Sequence, residues 1–161
     1  MVFLRAFLHS IRLPKKKAIF QLNRIGMDIT IFYMLLLLFI VSLPGFIDYL
    51  LSSSKLANEL NIFFNIIYFF IFNYLPLSII VFMLISLIAA VGTGLAKLMQ
   101  RKLKYSILWK MTAYTTTIPF LVYTIAALFL PIGNTYLLMF CIYSLLFIVL
   151  IISVYPKRRK K

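Results

Sequence analysis

The sequence predicts an all-α, polytopic membrane protein: four transmembrane helices preceded by an N-terminal amphipathic helix. Two observations carry that prediction. Of the 161 residues, 64% are hydrophobic and the mean hydropathy is +1.05, more apolar surface than a soluble domain of this size can bury. The 17 Lys and Arg residues fall almost entirely in three patches, residues 5–24, 97–110 and 157–161, and Lys55 is the one base outside them. Basic patches alternating with long apolar stretches follow the positive-inside rule of multi-pass proteins.

The first 26 residues read as a cytoplasmic interfacial segment. Phe3, Leu4, Phe7, Leu8 and Ile11 recur at helical spacing, with Arg5, His9 and Arg12 on the other side. That pattern predicts a helix lying among the lipid headgroups and ending at Pro14. The cluster Lys15, Lys16 and Lys17 follows, and a second short segment leads to Arg24. The apolar stretch is short and interrupted by charge, and it lacks a small-residue cleavage site, so it does not read as a secretory signal.

Residues 27–155 read as one transmembrane domain. Its first span covers about 29–50 and contains Pro44 and Gly45, where a kink or early end is expected. A short polar connection with Lys55 and Glu59 follows. Residues 62–99 are ambiguous, because one straight helix of that length would measure about 57 Å against a hydrocarbon core of about 30 Å. Two crossings would place Arg101, Lys102 and Lys104 outside, against the charge rule. The breakers Asn73 and Pro76 suggest instead an outer interfacial helix at about 61–73 and a second span at about 75–97. The third span covers about 107–130 and starts with Trp109 and Lys110 at the interface, from which the Lys110 ammonium snorkels to the cytoplasmic side. A turn around Pro131 and Gly133 leads to the fourth span, about 136–154, and residues 156–161 form a basic tail. Four spans put both termini and 16 of the 17 bases on the cytoplasmic side.

The residues exclude more chemistry than they suggest. The chain has three acids (Asp28, Asp48 and Glu59), His9 as its one histidine and Cys141 as its one cysteine. No acid pair, nucleophile–base pair or metal-ligand cluster can be assembled from these, so neither catalysis nor a metal or other cofactor is expected. Cys141 reads as a packing residue. The charge of +14 points to the lipid bilayer and its anionic headgroups, not to nucleic acid, because the aromatics lie in the spans and not beside the bases. Arg5, Arg12, Lys15, Lys16, Lys17, Arg101, Lys102 and Lys104 are the expected membrane-surface bases.

Two motifs remain. Ala90 and Gly94 form a small-xxx-small pair, and Ala89, Gly92 and Ala96 form a second small stripe, together a candidate face for close helix packing or for a partner. Thr115, Thr116 and Thr117 precede Pro119, whose missing N–H frees a carbonyl near Thr115. A bent, polar third span is expected, with hydroxyls satisfying backbone groups.

Several of these residues also carry a resemblance. Ile25-Gly26 before the first span, Leu43-Pro44 near its end, and the block from Leu95 through Arg101-Lys102-Leu103-Lys104-Tyr105 to Leu108-Trp109-Lys110 and Thr112-Ala113-Tyr114 resemble a Gram-positive membrane family of unknown function. One member of that family is labelled a maltodextrin-utilisation protein, and the loop and third helix are similar, more weakly, to the Yip family of trafficking proteins. The resemblance implies a bacterial cytoplasmic membrane and a link to transporter operons. It also implies a sizeable domain between the first two spans, which here is reduced to residues 51–73.

Three functions follow as expectations. The first is a non-enzymatic accessory or scaffold subunit associating with other integral membrane proteins, such as a transporter complex. The others are a small oligomeric channel or transporter using the Thr-rich span, and an anionic-lipid-binding protein.

Overall fold

Backbone polar groups in lipid must be satisfied within the segment, and a helix does this locally. In the computed structural model, which describes residues 2–51, 61–101, 103–129 and 135–156, every regular element is helical. The polar connection at 52–60, Lys102, the turn at 131–134 and the basic tail from 157 onward lie outside the described residues.

Helices α1 (Val2–Ile11) and α2 (Lys16–Asn23) precede α3 (Met27–Leu51). Helix α3 runs on through Pro44 and does not end there. Helix α4 spans Ile62–Leu98, α5 Tyr105–Thr115, α6 Thr117–Phe129 and α7 Thr135–Val154. Helix α3, helix α4 and the α5–α6 stretch are long and apolar enough to cross a membrane, and α7 is apolar over Met139–Val154.

Asn73 and Pro76 do not divide α4 into an interfacial helix and a span. Asn73 lies within a π-helical turn, Phe70–Tyr74, and Pro76 two residues past it, inside one helix of 37 residues. Pro76 lacks an N–H, and its ring would press on the carbonyl four residues back. The wider π turn shifts the bonding register just ahead of it, so the Leu75 N–H reaches the Phe70 carbonyl, five residues back. A continuous helix does not reverse direction, so this stretch does not cross twice.

The N-terminal half of α4 is zipped antiparallel to α3 by aromatic rings. Tyr49 stacks on Tyr68 at 5.7 Å between centroids, Phe46 meets Phe69 at 4.6 Å and Phe39 meets Phe70 at 6.0 Å. The Tyr74 hydroxyl donates to the Leu35 carbonyl at 3.0 Å, and Tyr49 donates to Oδ1 of the buried Asn65 at 3.2 Å. Asn65 is therefore an interhelical partner and not a solvated surface residue.

Helix α5 lies at the centre, with α1, α2, α3, α4 and α7 packed around it. Leu108, Trp109, Met111, Thr112, Ala113, Tyr114 and Thr115 are all buried. Trp109 is engaged within the domain: its ring stacks on Phe82 and its indole N–H donates to Ser86 Oγ at 3.1 Å. Between α4 and α5 the chain turns in a Schellman motif, with Arg101 N–H on the Ala96 carbonyl (2.8 Å) and Gln100 N–H on the Lys97 carbonyl (3.0 Å).

Gln100 occupies the left-handed position of that turn with φ 55°, where an L side chain crowds its own backbone. Replacing it with glycine should stabilise the protein by about 1 kcal/mol, seen as a raised melting temperature in detergent. A lowered melting temperature would show that the Gln100 side chain has a compensating role.

Candidate functional site

Three groups of residues carry the polar content of the domain. The first is a buried hydroxyl cluster joining α3 to the α5–α6 stretch. Pro119 removes a backbone donor, and the helix is interrupted at Thr116, with regular bonds resuming on both sides: Thr116 N–H to Thr112 and Phe120 N–H to Thr116. The threonines turn back onto their own helix. Thr112 donates to Leu108 at 2.9 Å, Thr115 to Met111 at 2.7 Å, Thr116 to Ala113 at 2.7 Å and Thr117 to Tyr114 at 2.8 Å.

Because Thr117 Oγ1 has given its proton to the backbone, the Tyr33 hydroxyl donates to it at 2.8 Å. The same logic holds on the other side: Thr30 donates to the Gly26 carbonyl, so Tyr114 donates to Thr30 at 2.9 Å. The two tyrosine rings lie 5.4 Å apart, and Thr116 Oγ1 also touches the Met34 sulfur at 3.7 Å. Helices α3 and α5–α6 are thus held parallel in one register by two reciprocal bonds. Helix α1 closes the cluster from the side. Its Ala6 and Ser10 are buried, and Ser10 comes within hydrogen-bonding reach of Tyr33. Helix α1 therefore uses a third, small-residue face for docking and leaves Leu4, Leu8 and Ile11 exposed.

The second group is the small-residue stretch of α4, which the structure splits into two faces. Ala89, Gly92 and Ala96 are buried inside the domain. A Cβ added at Gly92 would lie 2.8 Å from Ile148 Cγ2, so that glycine is what lets α7 approach. Ala90 and Gly94 point outward, and a Cβ at Gly94 would meet nothing within 4 Å. Sequence spacing had placed all five residues on one candidate face.

The third group lies at the basic end. Arg5, Arg12, Lys15, Lys16, Lys17 and Lys104 are exposed, while Arg101 is half-buried. The Lys110 ammonium donates to the carbonyls of Asn23 (2.7 Å) and Ile25 (2.8 Å), capping the end of α2 with a positive charge. It is a staple between α5 and the N-terminal segment, where sequence had suggested only a snorkelling base. Arg101 donates through Nη1 to the carbonyl of Tyr155, just past the end of α7. The Tyr155 ring is buried and lies 5.5 Å from that of Phe20 in α2, and burial pushes its phenol above the ordinary tyrosine pKa. Cys141 is half-buried and packs against the core, as its sequence setting suggested.

The family model for a protein of unknown function, DUF1189, matches residues 48–152, more than half of the chain. The chain belongs to the DUF1189 family. The matched stretch takes in α4 to α7, with the aromatic zipper of α4, the split small-residue stretch and the interrupted Thr-rich helix. Helices α1 and α2 and most of α3, including Thr30, Tyr33 and Met34, precede it. No curated protein and no solved structure matches the chain.

Sequence reasoning found the threonines, Pro119 and the small residues of this DUF1189 chain but missed Thr30, Tyr33, Tyr114 and the staple role of Lys110. The Ala6–Ser10 pair, four residues apart, was the available signal that α1 has a packing face.

Two predictions follow from this geometry. In a double-mutant cycle, Tyr114→Phe and Thr30→Val should couple by about 0.5–1.5 kcal/mol in detergent unfolding, the range of interhelical hydrogen bonds in lipid. A coupling near zero would deny the bond. Gly92→Leu should cost about 1–3 kcal/mol through overpacking against Ile148, whereas Gly94→Leu should leave the melting temperature nearly unchanged.

Proposed function

We propose that this protein is a non-enzymatic accessory subunit that packs against another integral membrane protein through the outward face of α4. The observation that carries the reading is the Ala90–Gly94 pair. It stands next to Met83, Leu87 and Val91, which are exposed, on a helix whose other small residues are already engaged within the domain. Where lipid surrounds both partners, close backbone approach at small residues is a main source of helix association.

In this reading the domain has four spans, with α7 as the last, and both termini and the 97–110 loop face the cytoplasm of a bacterial cell. The charge distribution supports that orientation, with 16 of 17 bases on one side. The resemblance to a family with a maltodextrin-utilisation member makes a transporter the first partner to look for. The channel reading has less support, because the hydroxyls of Thr115, Thr116 and Thr117 are held by carbonyls of their own helix and line no open path among the described residues.

The test is a mild-detergent purification of tagged protein from native membranes, with mass spectrometry of what accompanies it. A stoichiometric membrane partner is expected with the wild type and should be lost from Gly94→Leu, which leaves the fold intact. Solute flux through liposomes containing this protein alone would overturn the proposal.

A further inference from the structure

The basic end of the domain holds polar atoms whose hydrogen bonds are incomplete. Arg101 Nε, the Tyr155 hydroxyl and Gln21 Oε1 are buried and have no partner among the described residues. They belong to the α4–α5 turn, to the residue after α7 and to α2, and these three segments meet around Tyr155. Arg101 Nη1 bonds the Tyr155 carbonyl, and the Tyr155 ring packs on Phe20, the neighbour of Gln21.

A buried donor without an acceptor costs on the order of 1–3 kcal/mol, and more when it is charged. Within this chain the shortfall has no carboxylate remedy, because three acids serve 17 bases. Both Arg101 Nε and the Tyr155 O–H are donors, and the Gln21 amide can turn to offer its NH2 group. The Arg101 guanidinium rests on the Tyr155 carbonyl, so two unpartnered donors, Arg101 Nε and the Tyr155 phenol, belong to residues in direct contact, a set that matches an oxyanion with several acceptor oxygens. Lys97 lies in the last turn of α4 and Tyr155 follows α7, so the group lies where apolar helices give way to charge, the setting in which lipid phosphates are met.

We propose that Arg101 and Tyr155 form a binding site for the phosphate of one anionic phospholipid, which joins α2, the α4–α5 turn and the end of α7. The site is distinct from the diffuse attraction of Lys15, Lys16 and Lys17, and it does not depend on the accessory-subunit reading.

The experiment is native mass spectrometry of the full chain purified from vesicles containing phosphatidylglycerol and phosphatidylcholine in equal amounts. One phosphatidylglycerol is expected to survive delipidation that removes phosphatidylcholine. Tyr155→Phe, which keeps the ring against Phe20, and Arg101→Lys, which keeps the charge, should each weaken retention about tenfold, the loss expected of one charge-assisted hydrogen bond. The melting temperature of Tyr155→Phe in detergent without added lipid should stay near wild type, because its hydroxyl has no partner within the fold, and this separates the site from folding. Lys15, Lys16 and Lys17 changed together to Gln should leave that single lipid bound. Equal retention of both lipids, or unchanged retention in Tyr155→Phe and Arg101→Lys, would overturn the proposal and assign the atoms to ordered water. If inorganic phosphate alone raised the melting temperature as far as phosphatidylglycerol does, the ligand would be a free anion and the lipid assignment would fall.

Discussion

A helix enclosed on every side within a membrane domain must satisfy its own polar groups, and the whole architecture here depends on how α5 does so. Beyond its exposed first turn, its position next to five other helices buries every residue from Met111 to Thr115. The helix is also interrupted at Thr116. Threonine hydroxyls answer that need by donating to carbonyls three or four residues back, and Thr117 still accepts from Tyr33. Tyr33 and Tyr114 use that second capacity, so the groups that repair α5 also set its register against α3. Polarity in this core serves helix alignment.

The division of α4 into two faces follows from the same enclosure. Against α5 and α7 the small residues are needed for fit: Gly92 admits Ile148, and the buried Ala89 and Ala96 extend the contact. A third of a turn away, Ala90 and Gly94 answer no such need inside the domain. The N-terminal half of α4 is held differently, by rings stacked on α3 and by Asn65 and Tyr49. One helix therefore carries an aromatic adhesive at one end and a close-packing surface at the other, with the π turn between them.

Much of the helical layout could be read from composition, because apolar length and basic punctuation are strong signals in lipid. The expected spans at 29–50, 107–130 and 136–154 fall within a few residues of α3, α5–α6 and α7. What escaped was contact between elements. Asn73 and Pro76 act as helix breakers in isolation, yet a π turn accommodates them at little cost to continuity. Trp109 and Lys110 have interfacial propensities, but the half-buried Ser86 and two open carbonyls at the end of α2 gave them closer partners. Periodicity assigned α1 two faces, and packing selected a third made of Ala6 and Ser10. Spacing along one helix cannot say which neighbour will arrive, so the five small residues looked equivalent until α7 was in place.

The staple from Lys110 to Asn23 joins residues 87 positions apart and has a consequence for how the protein is made. Helices α1 and α2 leave the ribosome first, but the ammonium that anchors them, and the α5–α6 surface they rest on, do not yet exist. At translation rates of about 5–20 residues per second, roughly 4–17 seconds pass before Lys110 is synthesised. Until then helices α1 and α2 lack both that anchor and the α5–α6 surface against which Ala6 and Ser10 are buried. Seating them therefore waits on a residue from the far side of the domain.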